Sequence, residues 1–474
     1  MSFIYGRLAN RPDVPPIEWN PDSSKSINPH MLCCGGSGSG KTTFLLKIAK
    51  YLTEQKKHIY IFDLKGDMVI KNDNGEIIGN YIEFTAWNSK YGINPFEFDT
   101  GVSAEELASI INGEAEADKE QLFKMQNSGP KVQIQRMIEI IKKNFMPNMG
   151  TNQKDVLYDL LMDTYLLKGF VYNDIKTWGN TLPDLSDTLM LIEKIIMFFN
   201  GEFSTETDSV VEDFTDKIFA KIKNAKLNKT PVSEIQEEIN KLLIDFMEQS
   251  HNDDEISDLN PKEWFCANNI EVNKYMKKDV IRTVEKLASY INALVSSEIF
   301  NSKTPPVKPG LNVINISGLD VEIQRFIVDV WLGKVFKACK IRGTYSERKN
   351  KARGAKVDTY VLIDESKLIA GTSRDKNDPY SYLNRIATEA RGFGFGIIVA
   401  AQSAEHFPPE FLKNFDAQII LNTGIADFDS VRRSFGVSKE LLEFTQYGWG
   451  KALVKTGKMF SKVNFIETKG SENA

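Results

Sequence analysis

The sequence predicts an α/β fold: a mostly parallel central sheet that carries a phosphate-binding loop and is interrupted by a large all-helical insertion. Three observations predict it. The stretch CCGGSGSGKTTFLLKI, Cys33 to Ile48, fits the spacing G-x-x-x-x-G-K-[ST], with Gly35, Gly40, Lys41 and Thr42 at the fixed positions. Far downstream, the apolar run Tyr360 to Ile363 ends in Asp364 and Glu365, and α/β sheets place their ligands at the C-terminal ends of strands. Between these motifs, from about Ser103 to Ser302, apolar residues recur at helical spacing.

The loop sits in the required context. His30 to Cys34 reads as a short buried strand, and Phe44, Ile48 and Leu52 recur every fourth residue, so a helix follows. Glycines let successive N–H groups turn toward one point, and the helix N-terminus adds partial positive charge. Gly35, Gly36, Ser37, Gly38, Ser39, Gly40, Lys41, Thr42 and Thr43 are therefore the expected cradle for ATP. Lys41 is expected to reach the β and γ phosphates and the Thr42 hydroxyl to ligate Mg²⁺. The alternative is a Gly-Ser linker that happens to precede a lysine.

The next elements follow in order. Ile59 to Phe62 is a second apolar strand, ending in Asp63-Leu64-Lys65-Gly66-Asp67. Asp63, Lys65 and Asp67 are expected at the nucleotide edge of the sheet, where a simple strand-to-turn cap is an equal reading. Asn74-Gly75 signals a hairpin turn. In the helical region, Val132, Met137, Ile141 and Phe145 form one stripe, and Leu189, Ile192, Ile196 and Phe199 another. Gly201 to Asn260 is rich in Asp and Glu and reads as solvated acidic faces. The loop NSKTPPVKPG returns the chain to a strand, LNVINISGL, and then to a helix with Ile323, Ile327 and Val330 on one face.

Two acids close the strand after a basic, aperiodic stretch that reads as an exposed loop. Asp364 is expected to hold Mg²⁺ through its water shell, and Glu365 to orient and polarise an attacking water. Any strand can end in two acids by accident, but the preceding phosphate loop favours the chemical reading. Past the helical pattern YSYLNRIATEAR, the strand GFGFGIIVAAQS ends in Gln402, an amide placed to sense the γ-phosphate. Arg391 either interacts with its helix C-terminal dipole or enters a neighbouring subunit's site as an arginine finger.

Bulk properties bound the rest. The 474 residues imply roughly two to three domains, divided here as 1–100, 101–304 and 305–474. No run approaches the ~18 apolar residues of a membrane helix and the start lacks a signal peptide pattern, so a cytoplasmic protein is expected. Cys33, Cys34, Cys266 and Cys339 lie in no metal-ligand spacing and read as reduced core thiols. A formal net charge of −5 argues against a general polycation, so any DNA contact must be local.

The ordered set GGSGSGKTT, IFDLKGD, NPF, VLIDES and EARGFGFGIIVAAQS resembles the FtsK–HerA superfamily of motor ATPases. The resemblance covers roughly residues 1–100 and 305–474 and implies a RecA-like P-loop NTPase core. It implies that Arg391 acts in trans and that Gln402 is a sensor, and therefore a ring, by family a hexamer. Departures are that no transmembrane helices precede the loop, as coupling proteins usually have, and no N-terminal β-barrel, as HerA usually has. The helical insertion resembles that of secretion and coupling ATPases more than the plain FtsK motor.

Two readings follow from the resemblance. The first is an ATP-hydrolysing translocase or helicase-like motor on double-stranded DNA, with a partner nuclease or effector and a place in antiphage defence or mobile-element DNA processing. Its DNA-contact candidates are Arg374 and Lys376, then Arg348, Lys349, Lys351 and Arg353, against the plainer reading of solvated loops. The second is a soluble conjugation or type IV secretion ATPase that handles protein substrates through its acidic insertion. TLPDLSDTLMLIEKI, Thr181 to Ile195, with a helix start at Pro183-Asp184, resembles a stretch of the secretion ATPases.

Overall fold

The structure is a computed structural model that describes residues 2–22, 28–87, 89–98, 100, 104–114, 116, 128–201, 261–344, 357–365, 386, 389–407, 412–457 and 459–465. Its strands are β1 (Phe3–Leu8), β2 (Ile17–Trp19), β3 (Met31–Cys34), β4 (His58–Asp63), β5 (Asn80–Glu83) and β6 (Leu311–Asn315). They continue with β7 (Thr359–Ile363), β8 (Phe395–Ala401), β9 (Ala417–Ile420), β10 (Lys451–Thr456) and β11 (Phe460–Phe465). Among the described residues all of them join one sheet, in the order β2-β1-β11-β10-β9-β3-β8-β7-β4-β6-β5.

From β9 to β5 every pairing is parallel, and from β9 back to β2 every pairing is antiparallel. Strands β3, β7, β8 and β9 are buried at every position because both faces are covered. Side chains alternate between those faces. Ile59, Ile61, Tyr360, Leu362, Ile398 and Ala400 join one cluster, while Phe62, Val361, Ile363, Ile397, Val399 and Ala401 join the other. At ~1.5–3 kcal/mol for each fully buried large side chain, this alternation sets the register.

Helix α1 (Lys41–Glu54) covers the first face through Phe44, Leu45, Ile48, Ala49 and Leu52, all buried at helical spacing. On the second face lies α8 (Val321–Ile341). Its middle is buried almost all round, from Phe326 to Leu332, so the single expected stripe of Ile323, Ile327 and Val330 understates it. The reason is that α8 has the sheet on one side and the insertion on the other.

That insertion contains α2 (Ala104–Ile111), α3 (Gly129–Asn144), α4 (Thr151–Leu167), α5 (Leu185–Asn200), α6 (Pro261–Ala267) and α7 (Lys278–Ser296). Its apolar side chains run into the same cluster as the second face of the sheet. The Asp184 side chain caps α5, accepting from the N–H of Ser186 at 2.8 Å and of Asp187 at 3.3 Å, as the helix-start signature predicts. The buried face of α5 is Leu185, Thr188, Leu191, Ile192 and Ile195, so the expected stripe is rotated and Phe199 is 39% exposed. The segment is apolar on most sides, and periodicity alone cannot choose the face that packs.

The hairpin at Asn74-Gly75 reduces to one antiparallel bridge, Lys71 with Ile77, around a turn organised by the Asn72 side chain. Cys33, Cys34 and Cys339 are buried free thiols, whereas Cys266 on α6 is exposed, against the core reading for that residue. The acidic stretch 202–260, the basic stretch 345–356 and most of the helix expected at 380–391 lie outside the described residues.

Candidate active site

Four parallel strands deliver polar residues to one edge of the sheet. Cys34 pairs with Ala401, Ile363 with Val399, and Phe62 with Ile363, so the residues that follow these strands lie side by side. These are Gly35, Gln402 and Asp364, beside Asp63, the last residue of β4.

The loop after β3 depends on close packing. A β-carbon on Gly35 would lie 2.5 Å from Ser39 Oγ and 2.9 Å from Leu421 Cβ, so only glycine fits there. Gly40 has φ +93° where the loop turns into α1, a conformation that glycine adopts freely. The N–H groups of Lys41, Thr42 and Thr43 begin the helix and have no preceding intrahelical carbonyl to bond. Lys41 is 6% exposed and donates to the carbonyls of Gly35 and Gly36, both at 2.8 Å. Ser39 Oγ is buried without a hydrogen-bond partner. A cationic side chain on neutral carbonyls, an orphaned hydroxyl and free helix amides fit a polyphosphate.

Opposite the loop, the Thr42 hydroxyl donates to Asp364 Oδ2 at 2.7 Å, and Asp364 is 2% exposed. Mg²⁺ takes one or two carboxylates together with water and phosphate oxygens, so this pair fits it without further protein ligands. Glu365 is 7% exposed and has φ +55°, a strained conformation for a residue with a side chain. Its Oε2 accepts from Lys65 Nζ at 3.0 Å and from Gln402 Nε2 at 3.3 Å.

Lys65 and Asp63 now have positions. Asp63, 4% exposed, accepts from the N–H groups of Lys65, Gly66 and Met68 and so caps the turn after β4. That turn carries Lys65 to Glu365 and within 4.0 Å of Asp364 Oδ2. Partial burial works against the Lys65 ammonium, but the Glu365 hydrogen bond and the charges of Asp364, Glu365 and Asp67 outweigh it and raise its pKa. Partial burial and the nearby carboxylates of Asp63 and Asp364 raise Asp67, against the opposing pull of Lys65.

The structure thus places Thr42 against Asp364 and Gln402 against Glu365, with Lys41 on the adjoining loop. Arg391 lies in the 3-10 turn Ala390–Phe393 that leads into β8. Arg348, Lys349, Lys351, Arg353, Arg374 and Lys376 lie outside the described residues. The sequence assigns Lys65 no single role, and no motif marks Trp449, an exposed tryptophan between two glycines beside the loop.

A loop, a helix N-terminus and strand-end acids in this arrangement define a P-loop nucleotide site on a mostly parallel sheet. The Poxvirus A32 protein family matches residues 18–85. The chain is 28% identical over 194 residues to a probable helicase of Methanocaldococcus jannaschii, covering 38% of this chain and 36% of that protein. It is 26% identical over 220 residues to the DNA double-strand break repair helicase HerA of Pyrococcus furiosus, covering 40% and 39% respectively. The match to HerA of Sulfurisphaera tokodaii is 29% over 154 residues, 32% of this chain and 29% of that one. The alignment therefore spans about a third of the length of these curated relatives.

In fold, the chain is similar to VirB4 of Thermoanaerobacter pseudethanolicus, with a TM-score of 0.60 at 12% identity over 98% of this chain and 97% of that one. It is also similar to the bacterial conjugative coupling protein TrwBΔN70, with a TM-score of 0.50 at 10% identity over 98% and 88%. In sequence the chain is thus similar to HerA-type helicases, and in fold to the conjugation ATPases. No helix among the described residues is long and apolar enough to cross a membrane.

Proposed function

We propose that the chain hydrolyses ATP to drive movement along double-stranded DNA, as a ring of identical subunits in the cytoplasm. The observation that carries the ATPase part is the Thr42–Asp364 contact beside a Glu365 held by Lys65 and Gln402. In this reading the loop from Gly35 to Thr43 wraps the triphosphate and Lys41 leaves its two carbonyls for phosphate oxygens. Thr42 and Asp364 hold Mg²⁺, which when bound neutralises charge on the β and γ phosphates. The two contacts of Glu365 described above fall on Oε2, so its other oxygen orients the attacking water. Gln402 senses the γ-phosphate through Glu365, and Arg391 stabilises developing charge in the neighbouring subunit.

The DNA part rests on the likeness to HerA helicases. The basic candidates from Arg348 to Lys376 would line the path of the duplex, and a nuclease or effector would act with the ring, in defence or mobile-element processing. Residues 1–100 and 305–474 form the motor in this reading, and 101–304 the inserted helical unit. The contrasting reading, a conjugation or secretion ATPase acting on proteins, keeps the same chemistry and differs in what stimulates it.

The test is a set of three variants. Lys41→Ala is expected to lose ATP binding. Glu365→Gln is expected to bind ATP and lose turnover by ~10² or more. Arg391→Ala is expected to bind ATP and to lose turnover by ~10³ or more if it acts as a finger. Wild-type turnover in Glu365→Gln would remove that residue from the chemistry.

A further inference from the structure

The phosphate loop borders an open cleft of about 400 Å³, and the nucleotide reading above places the phosphates on the loop but not the base. It is lined by the loop itself with Thr43, Phe44 and Lys47, and by Asn422, Trp449 and Phe465. Trp449 is 75% exposed, an unusual state for the largest apolar side chain on a surface that has a core to join. Its ring edge lies against the start of α1, where a β-carbon on Gly40 would meet Trp449 Cζ2 at 3.7 Å and Cη2 at 3.8 Å.

The backbone holds the ring there. Gly448 at φ +126° and Gly450 at φ +79° flank it, both conformations that favour glycine, and the Gly450 carbonyl is fixed by the N–H of Phe465 at 2.9 Å. Asn422 also lines the cleft, and its carbonyl accepts from the Gly36 N–H at 2.7 Å, which ties that residue to the loop. Its side-chain amide offers both a donor and an acceptor, the pair that matches the edge of an adenine.

We infer that Trp449 is the platform on which the purine base of the bound nucleoside triphosphate stacks, with Asn422 at the base edge. This rests on the nucleotide reading of the loop. Stacking of a base on an aromatic ring is worth ~1–3 kcal/mol, so removing the ring is expected to weaken ATP binding ~5- to 150-fold. The cleft has the size of an ordinary small-ligand site, and a phosphate chain alone would leave it unfilled.

The experiment measures binding of ATP and of inorganic tripolyphosphate by calorimetry to the full chain and to Trp449→Ala, Trp449→Phe and Lys41→Ala. The expected result is that Trp449→Ala weakens ATP by the stated factor, leaves tripolyphosphate unchanged, and is largely rescued by Trp449→Phe. Equal weakening of both ligands, no weakening of ATP, or equal wild-type affinity for the two would overturn the platform. Lys41→Ala separates the two claims: if it still binds both ligands, the phosphate-loop reading fails, and the platform falls with it.

Discussion

At the scale of single residues, the account turns on Glu365, whose strained backbone and two donors hold one carboxylate oxygen at the sheet edge. Lys65 is the less expected partner. Lys65→Ala is expected to keep ATP affinity and lower turnover by ~10-fold or more, because Glu365 loses its tether; Lys65→Arg should recover part of the rate. Unchanged turnover in a steady-state assay would make the ion pair incidental. The thiols make a pH prediction. Burial, partly offset by Lys41, pushes Cys34 up to about 12, so at pH 8 only ~10⁻⁴ of it is thiolate. Its labelling by iodoacetamide should stay negligible until pH approaches that value, whereas exposed Cys266 should label in the native protein. Mass spectrometry of the alkylated peptides checks this, and fast labelling of Cys34 at pH 8 would contradict the buried strand. The loop was legible because its chemistry is fixed by local spacing. Lys65 with Glu365 was not, because a contact across 300 residues leaves no trace in either neighbourhood.

At the scale of elements, β3, β4, β6, β7 and β8 are legible because burial on both faces makes each one a short, mostly apolar run bounded by polar residues. Strands β1, β2 and β9 to β11 passed unread. Of these, β11 is only partly buried and mixes polar with apolar positions, so it lacks that signature. Helix faces were read imperfectly for the reason α5 shows: with apolar residues on most sides, the neighbours decide which face packs. One joint between elements is testable. Lys143 on α3 donates to both carboxylate oxygens of Asp329 on α8 at 2.9 Å, and Asp329 is 1% exposed. Among the described residues, Lys143→Ala leaves that buried charge with only the Asn144 amide, which donates to it at 3.1 Å, and is expected to destabilise the fold by ~3–5 kcal/mol, whereas Lys143→Met with Asp329→Leu together should cost less. Thermal melts of the three proteins check it. Equal losses in the single and double variants would mean the site is ordinary packing.

At the scale of the whole molecule, the sheet collects its chemistry along one edge and the helical insertion seals the opposite face into a shared core. The proposed motor would have to couple hydrolysis to something it grips, and an acidic chain with a formal net charge of −5 would grip DNA only through local basic residues. Duplex contacts of that sort release counterions, so they weaken as salt rises. Steady-state ATP hydrolysis, measured with and without long duplex DNA across a salt series and with Glu365→Gln as the blank, tests this most directly. The account predicts a Glu365-dependent rate that duplex DNA stimulates, with the stimulation fading as salt rises. Hydrolysis indifferent to DNA at every salt concentration would contradict a DNA motor and favour an ATPase that acts on protein.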